Sequence, residues 1–575
     1  MSGSQRLAPA TLLLVLGSGV LLTATRLATP EDLMCADQER PASYVLDVLR
    51  NGHWICQTDW TGDVTSKPPM YTWMAAAVAL PFGRLNRLLL LAPSIGAVLV
   101  LSWLILRTGS FRFGSAAGLL GALAFLLSPI TAWLVAVART DNLFALAVTV
   151  TALLAFRAWT TGRGWLWFWL AAAAATLTKG PLGLLLGAMG LGAACWEKHD
   201  GRPLPLRGSQ VPGILLYLAI TVGWLAWSWA EMGRGVMARM IGEELIGSVH
   251  TGGSGPLSVK HFFVPVLYVL GRFAPWSLLS FVGLWRIAKH PAKDHEERRF
   301  ERFLFCWLVG GIAVFSIPAH QRVALLFPLM PPAAWLAGRE MARLAEGLRP
   351  AVLLRFAAIG ALCILGLIAF YYQRFRGDER QIAQTAVMKD MARQIQAHGA
   401  ASLPIVHVDT PFALQYFLGT MNPAVTPEQA ARLLAGSNTV FVALCDLPKV
   451  ESLLPADHPE IFHLLHSPAN GVPQVMLLSN GPRLESAPAM ATGFGGIRVQ
   501  WDRMALEERR GDRYDFRATG TAAMAQFSND SERPRPIRVR LQHPDRTRVI
   551  AHTLTPHEIW RIRAGEPAPG EGQGG

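Results

Sequence analysis

The sequence predicts a polytopic α-helical membrane protein, with about 11–13 transmembrane helices, followed by a C-terminal extracytoplasmic α/β domain. Three observations predict it. Of 575 residues, 51% are hydrophobic and only 16% are charged, where a soluble domain carries about 25% charged residues. The mean hydropathy is nevertheless only +0.29, too low for a chain that is membrane throughout. Apolar stretches recur from the N-terminus to about Tyr372, and after Arg374 no run reaches the roughly 20 residues a spanning helix needs. The best later run, VFVALC at 440–445, is strand-sized.

Taken in order, apolar segments start near residues 8, 86, 115, 142, 166, 181, 212, 262, 303, 323 and 351. The first reads as a retained anchor rather than a cleaved signal, because only Arg6 precedes it and no convincing A-x-A site closes it. Lys and Arg gather in segments 107–112, 157–163, 198–207, 286–302 and 339–349, as cytoplasmic loops require. Segment 286–302 alone holds Arg286, Lys289, Lys293, Arg298, Arg299 and Arg302. With the N-terminus inside and an odd number of spans, the outer side receives loop 28–85, the turns at 139–141, 178–181 and 319–322, loop 231–261 and the soluble tail.

The organisation that follows is a transmembrane catalytic domain over 1–372, with its first outer loop at 28–85. An extracytoplasmic α/β domain covers 373–485, a small basic extension expected to contain β structure covers 486–563, and a disordered tail covers 564–575. In the α/β part, 403–409, 439–446 and 472–480 read as strands. Residues 498–563 carry 14 Arg against nine acids, which suits either a small β element or a membrane-surface patch. The net charge of +13 is explained by the membrane loops, so no nucleic-acid partner is expected. Six cysteines without a CxxC argue against a thiolate metal site. Cys35 and Cys56 share the first outer loop. They suit a disulfide in an oxidising compartment, or two buried thiols.

The first outer loop is the most informative segment. Asp37, Arg40, Gly52, Trp54, Lys67, Pro68, Pro69, Tyr71 and Trp73 stand in a pattern of acid and arginine, amphipathic helix, G-x-W and K-P-P-x-Y-x-W. AVARTDN (136–142), TKGPLGL (178–184), APW (274–276) and VFSIPAHQRVALLFPLMPPAAWL (314–336) follow in order. This series resembles the GT-C superfamily of polyprenyl-phosphate-sugar glycosyltransferases, in particular the aminoarabinose (lipid A) transferase and protein mannosyltransferase family. The resemblance runs over the whole membrane part. It implies transfer of a sugar from a polyprenyl-phosphate donor to a lipid or protein acceptor, among membrane lipids, on the outer face of a bacterial cytoplasmic membrane.

The residues make chemical sense in that role. Such a transfer needs a carboxylate as general base and cations to stabilise the departing phosphate, all at interface depth. The resemblance makes Asp37 and Asp141 the catalytic candidates, expected to meet at one outward cavity. Arg40, Lys67, Tyr71, Lys179, Glu243, His320 and Arg322 are the substrate-binding candidates. Each also has a plain structural reading. Asp37 heads an amphipathic helix and Asp141 an apolar one, where an acid is favoured by the macrodipole or serves as a cap. Lys67 can snorkel, Lys179 can cap, and Glu243 with Glu244 can be a solvated loop pair. No cofactor is certain. No ligand spacing such as HExxH supports a metal, although a divalent cation stays open. Gln38, Pro41, Gln321 and Leu325 depart from the family pattern, which keeps a lipid-binding relative without activity in view. A lipid-linked-sugar transporter would instead place ionisable residues inside its spans.

Overall fold

The computed structural model describes residues 8–563, apart from 32, 34–35, 201–205, 234, 236–237, 240–258, 319–320, 376–378, 398–404, 437–439, 456–457, 459–460, 468–473, 481–488, 493–496, 503, 511–512, 519–523, 530–533, 544–545 and 557. The chain forms two compact units. One comprises Met1–Pro30, Val64–Ala75 and Leu88–Gly377; the other comprises Glu31–Asp63, Ala76–Arg87 and Asp378–Gly575.

The first unit is helical. A helix stands at or around each of the eleven predicted starts. Among the described residues, five are long and apolar enough to cross a membrane: Pro9–Leu27, Arg87–Phe113, Asp141–Thr161, Val211–Met232 and Pro350–Arg374. Others are shorter, such as Ser115–Leu126. The region read as a single span from 262 is two helices, Val259–Arg272 and Trp276–Lys289. Val211–Met232 and Pro350–Arg374 leave Leu215, Val222, Trp227, Phe356 and Leu367 more than half exposed. Apolar surface on that scale belongs against lipid, not water.

Inside the bundle, hydrophobic burial cannot drive helix association from lipid, so close backbone approach does the work. Ser115–Leu126 packs on Arg87–Phe113 and on Met330–Leu344 through glycines. A Cβ on Gly118 would meet Ser110 Oγ at 2.2 Å, and one on Gly338 would meet the Ala117 carbonyl at 2.4 Å. Trp335 donates its indole N–H to the Ile105 carbonyl at 3.0 Å, joining two of these helices at their buried faces.

The second unit joins helix Ala36–Asn51 of the first outer loop to the C-terminal residues. Asn51 Nδ2 donates to the Met421 carbonyl at 3.2 Å, and Arg535 Nη2 donates to the Asn51 carbonyl at 3.2 Å. A cation on the last carbonyls of a helix is favoured by the macrodipole. The predicted strands appear as Ile405–Val408, Phe441–Leu444 and Met476–Ser479, with Phe462–His466 added at the edge. Ile405–Val408 and Phe441–Leu444 run parallel; the other pairings are antiparallel. Beyond them, eight strands from Ala489–Thr492 to Ile559–Arg563 form two four-stranded sheets. Tyr514, Phe516, Phe527, Val539 and Leu541 form their core, so the basic stretch is a folded β element.

Candidate functional site

In the first unit the structure gathers three charged side chains at the head of helix Asp141–Thr161. Asp141 is 2% exposed. Its Oδ2 accepts from Arg139 Nε at 2.8 Å, and its Oδ1 accepts from Lys179 Nζ. Thr140, the residue before the helix, makes no side-chain cap. Both oxygens of the Asp141 carboxylate are taken by cations. Lys179 ends helix Trp165–Lys179, where Gly180 at φ +81° turns the chain away. A cation is favoured there by the dipole, and it is fixed in direction by the carboxylate.

The backbone around this group is itself held. Ser94 Oγ donates to the Val137 carbonyl at 3.2 Å, and Asn142 Nδ2 donates to the Leu134 carbonyl at 2.8 Å. Arg139 lies over Trp133, 5.9 Å from the ring centre, and Lys179 lies 5.7 Å from that of Phe144. One carboxylate thus holds two cations in fixed directions, an arrangement that can aim N–H donors at an anion. Arg139 was not among the sequence candidates. Its signal was present in Arg-x-Asp at the mouth of an apolar run.

Lys67 belongs to the same unit. Thr65 Oγ1 accepts from the Lys67 N–H at 3.2 Å and donates to its carbonyl at 3.0 Å, making a tight turn before Pro68 and Pro69. Tyr71 is 1% exposed, and its hydroxyl donates to the Leu90 carbonyl at 2.9 Å. That bond ties the lysine turn to helix Arg87–Phe113. Arg322 is exposed in extended backbone just before Val323–Leu329, and Gln321 Nε2 donates to the Phe315 carbonyl at 3.4 Å. Glu243, Glu244, His320 and His250 lie outside the described residues, as does Cys35 of the proposed disulfide.

In the second unit Asp37 falls in the first turn of helix Ala36–Asn51, with its side chain outside the description. Arg40 is half exposed, with Nε 3.8 Å from Asp59 Oδ2, a screened pair of small worth. Two acids not predicted as functional organise the loop. Asp47, fully buried, accepts from Asn51 Nδ2 at 2.8 Å and the Thr58 N–H at 2.8 Å, and pairs with His53 Nδ1 at 3.0 Å. Asp59 accepts from the N–H groups of Thr61 and Asp63 at 3.0 and 3.1 Å. Glu39 is 8% exposed, and burial pushes its carboxyl up to about 7. Among the described residues, no group of three or more His, Cys, Asp or Glu is placed to hold a metal ion.

Comparison with known proteins agrees with the fold. A protein-family profile described as dolichyl-phosphate-mannose-protein mannosyltransferase matches residues 66–227, the stretch that carries Lys67, Arg139, Asp141 and Lys179. The structure of ArnT from Cupriavidus metallidurans bound to undecaprenyl phosphate superposes with a TM-score of 0.62 at 17% identity, covering 82% of this chain and 99% of that one. The same protein in the apo state gives 0.60 at 16% identity, with the same coverage. The comparison with curated proteins finds no match. The chain thus has the multi-pass GT-C fold, with a C-terminal domain containing sheets, and resembles ArnT and the protein mannosyltransferases.

Proposed function

We propose that this chain is a glycosyltransferase that moves a sugar from a polyprenyl-phosphate donor to a lipid A-like, protein or glycan acceptor. In this reading it works at the outer face of a bacterial cytoplasmic membrane, with its C-terminal domain outside the cytoplasm. The observation that carries the reading is the Arg139–Asp141–Lys179 cluster. It is a preorganised cationic pair at the end of an apolar helix, within the segment that resembles the mannosyltransferases. Undecaprenyl phosphate in the structurally similar ArnT supports a polyprenyl carrier.

Asp37 is assigned as general base. It takes the proton from the acceptor hydroxyl as that oxygen attacks the anomeric carbon from the face opposite the phosphate. One C–O bond forms, the C–O bond to phosphate breaks, and the configuration inverts. The polyprenyl phosphate leaves as a monoester, whose added negative charge is met by Lys179, Arg139 and Lys67, with Arg40, Arg322 and His320 as further cationic candidates. Fixed cations aimed at developing charge are among the largest sources of rate enhancement. Asp141 holds two of these cations in place. Tyr71 positions the Lys67 turn, and Glu243 is assigned to the sugar side of the donor.

The test is a transfer assay in membranes with a radiolabelled polyprenyl-phosphate sugar and lipid acceptor. Wild type should transfer label and Asp37→Asn should do so about 100-fold or more slowly, while both bind donor. Release of donor across the membrane without transfer would instead identify a transporter. Donor binding with no transfer by wild type would identify a lipid-binding relative without activity.

A further inference from the structure

A charged cavity lies in the membrane unit, away in sequence from the residues assigned above. It has a volume of 220 Å³ and is lined by Glu197, Asp200, His295, Arg298, Arg299 and Arg302. Helix Ala193–His199 supplies the first acid, Asp200 follows as its C-cap, and the first two turns of helix His295–Ser316 supply the cations. That second helix reads HEERRFERFLFCWLVGGIAVFS. It is charged through Arg302 and apolar from Phe303 onward. The change of character places Arg302 at the level where a bilayer passes from headgroup to hydrocarbon. Trp196, against Phe305 at 5.3 Å and beneath Arg302 at 5.0 Å, is the aromatic residue expected at that depth.

The internal pairing of this cavity is incomplete. Arg299 Nε donates to Glu197 Oε1 at 2.8 Å, and Arg302 Nη2 pairs with Asp200. Among the described residues Arg298 is held by backbone carbonyls, its Nε at 2.7 Å from that of Ala292 and its Nη2 at 3.1 Å from that of Lys293. Among the described residues its charge has no carboxylate partner. Glu197 and Arg302 are 7% and 8% exposed, yet Glu197 Oε2 and Arg302 Nε make no hydrogen bond. A bare buried polar atom costs about 1–3 kcal/mol, more when charged. The cavity thus presents an unmet anionic acceptor and an unmet cationic donor, at headgroup depth, beside a surplus guanidinium.

We propose that this cavity binds the headgroup of a zwitterionic phospholipid of the phosphoethanolamine class. The phosphodiester is received by Arg298 and by Arg302 Nε, and the primary ammonium by Glu197 Oε2, after small rotamer adjustments. A choline headgroup cannot serve, because its quaternary nitrogen has no hydrogen to donate. A purely anionic headgroup or free phosphate would satisfy the guanidinium groups and leave Glu197 bare.

Native mass spectrometry of the full chain, released from vesicles containing equal phosphatidylethanolamine, phosphatidylglycerol and phosphatidylcholine, tests this directly. Retained phosphatidylethanolamine should exceed either competitor by at least roughly threefold, a preference of about 0.6 kcal/mol or more. Glu197→Gln should abolish that preference, and Arg298→Gln should weaken retention of every phospholipid. Equal retention of all three lipids overturns the proposal. So does a preference for phosphatidylglycerol, or a preference unchanged in Glu197→Gln. If inorganic phosphate stabilises the protein in phosphatidylcholine vesicles as much as phosphatidylethanolamine does, the site is a phosphate site and the lipid assignment fails. The wild-type lipid ranking stands as a test even if a variant fails to fold.

Discussion

Two of the groups of buried charge in the membrane unit join carboxylates to basic side chains, and they differ in which sign sits at the centre. In one, Asp141 faces Arg139 and Lys179, which keep 13% and 15% of their side chains exposed. In the other, Arg339 is paired with Glu301 and Glu340, and Glu340 also meets Arg343 and Arg286 at 3.0 Å. Arg339, Glu301 and Glu340 are at most 4% exposed. The second group centres on a buried arginine held by two buried glutamates, with Arg343 and Arg286, 34% and 40% exposed, on its rim. The first is lean, with one acid orienting two partly accessible cations. An arginine buried between glutamates of two helices fixes the bundle; a carboxylate that orients two cations can aim them at a phosphate. On the function proposed above, the donor phosphate is met at the Asp141 group, and the Arg339 group serves the fold.

Mutations can break this comparison. The largest effect on folding should come from Glu301→Gln, which leaves Arg339 partly unpaired in the interior. Breaking a buried pair costs about 3–5 kcal/mol, so thermal unfolding in detergent should fall sharply while donor KM in the surviving protein stays near wild type. Asp37→Asn should do the reverse, leaving unfolding unchanged and lowering kcat by a factor of about 100 or more, the low end for a general base. A variant with wild-type turnover would remove Asp37 from the mechanism.

Asp141→Asn and Lys179→Ala sharpen the contrast at intermediate size. Losing one oriented donor to a developing phosphate charge should lower kcat by roughly 100-fold, and Asp141→Asn should act through the same cations. The double variant should then cost little more than either single one, because the pair acts as a unit. Full additivity would mean that Asp141 does not work through Lys179. Lys67→Ala should raise donor KM as well as lower kcat.

The smallest effect concerns Glu39. Its folded carboxyl sits near 7 while an unfolded glutamate sits near 4.3. Stability is therefore full below the unfolded value and is lost as pH rises through the folded one. Glu39→Gln should stabilise the protein by about 1–3 kcal/mol above pH 8 and be neutral below pH 4. Equal unfolding temperatures for both proteins across that range would show that Glu39 ionises freely.

Much of the fold was legible because membrane segments announce themselves. Each of the eleven apolar starts has a helix, since a run of Leu, Ala and Val in lipid has no other way to satisfy its backbone. Trp276–Lys289 was missed because VGLWRIAK blurs into the charged loop after it. Phe462–His466 was missed because IFHLLH is too short to separate strand from helix by period. At the site, Asp141 and Lys179 were readable as charges at the mouths of apolar runs. Arg139 was passed over, although it stands two residues from Asp141.

By itself the sequence determined the membrane part, the strand-bearing C-terminal part and the set of charged residues that flank the apolar runs, because composition and period act locally. Only the tertiary structure decided which charges meet. Lys179 and Asp141 are 38 positions apart in the chain, and no local pattern reports such a contact. It also decided that the Tyr71 hydroxyl reaches Leu90, and that Glu301 is buried against Arg339 while Glu197 is left half satisfied. The reason is physical: a side chain's partner is fixed by how helices pack. Here that packing is set by backbone contacts at Gly118, Gly121 and Gly338, whose consequences for distant charges appear only once the bundle is formed.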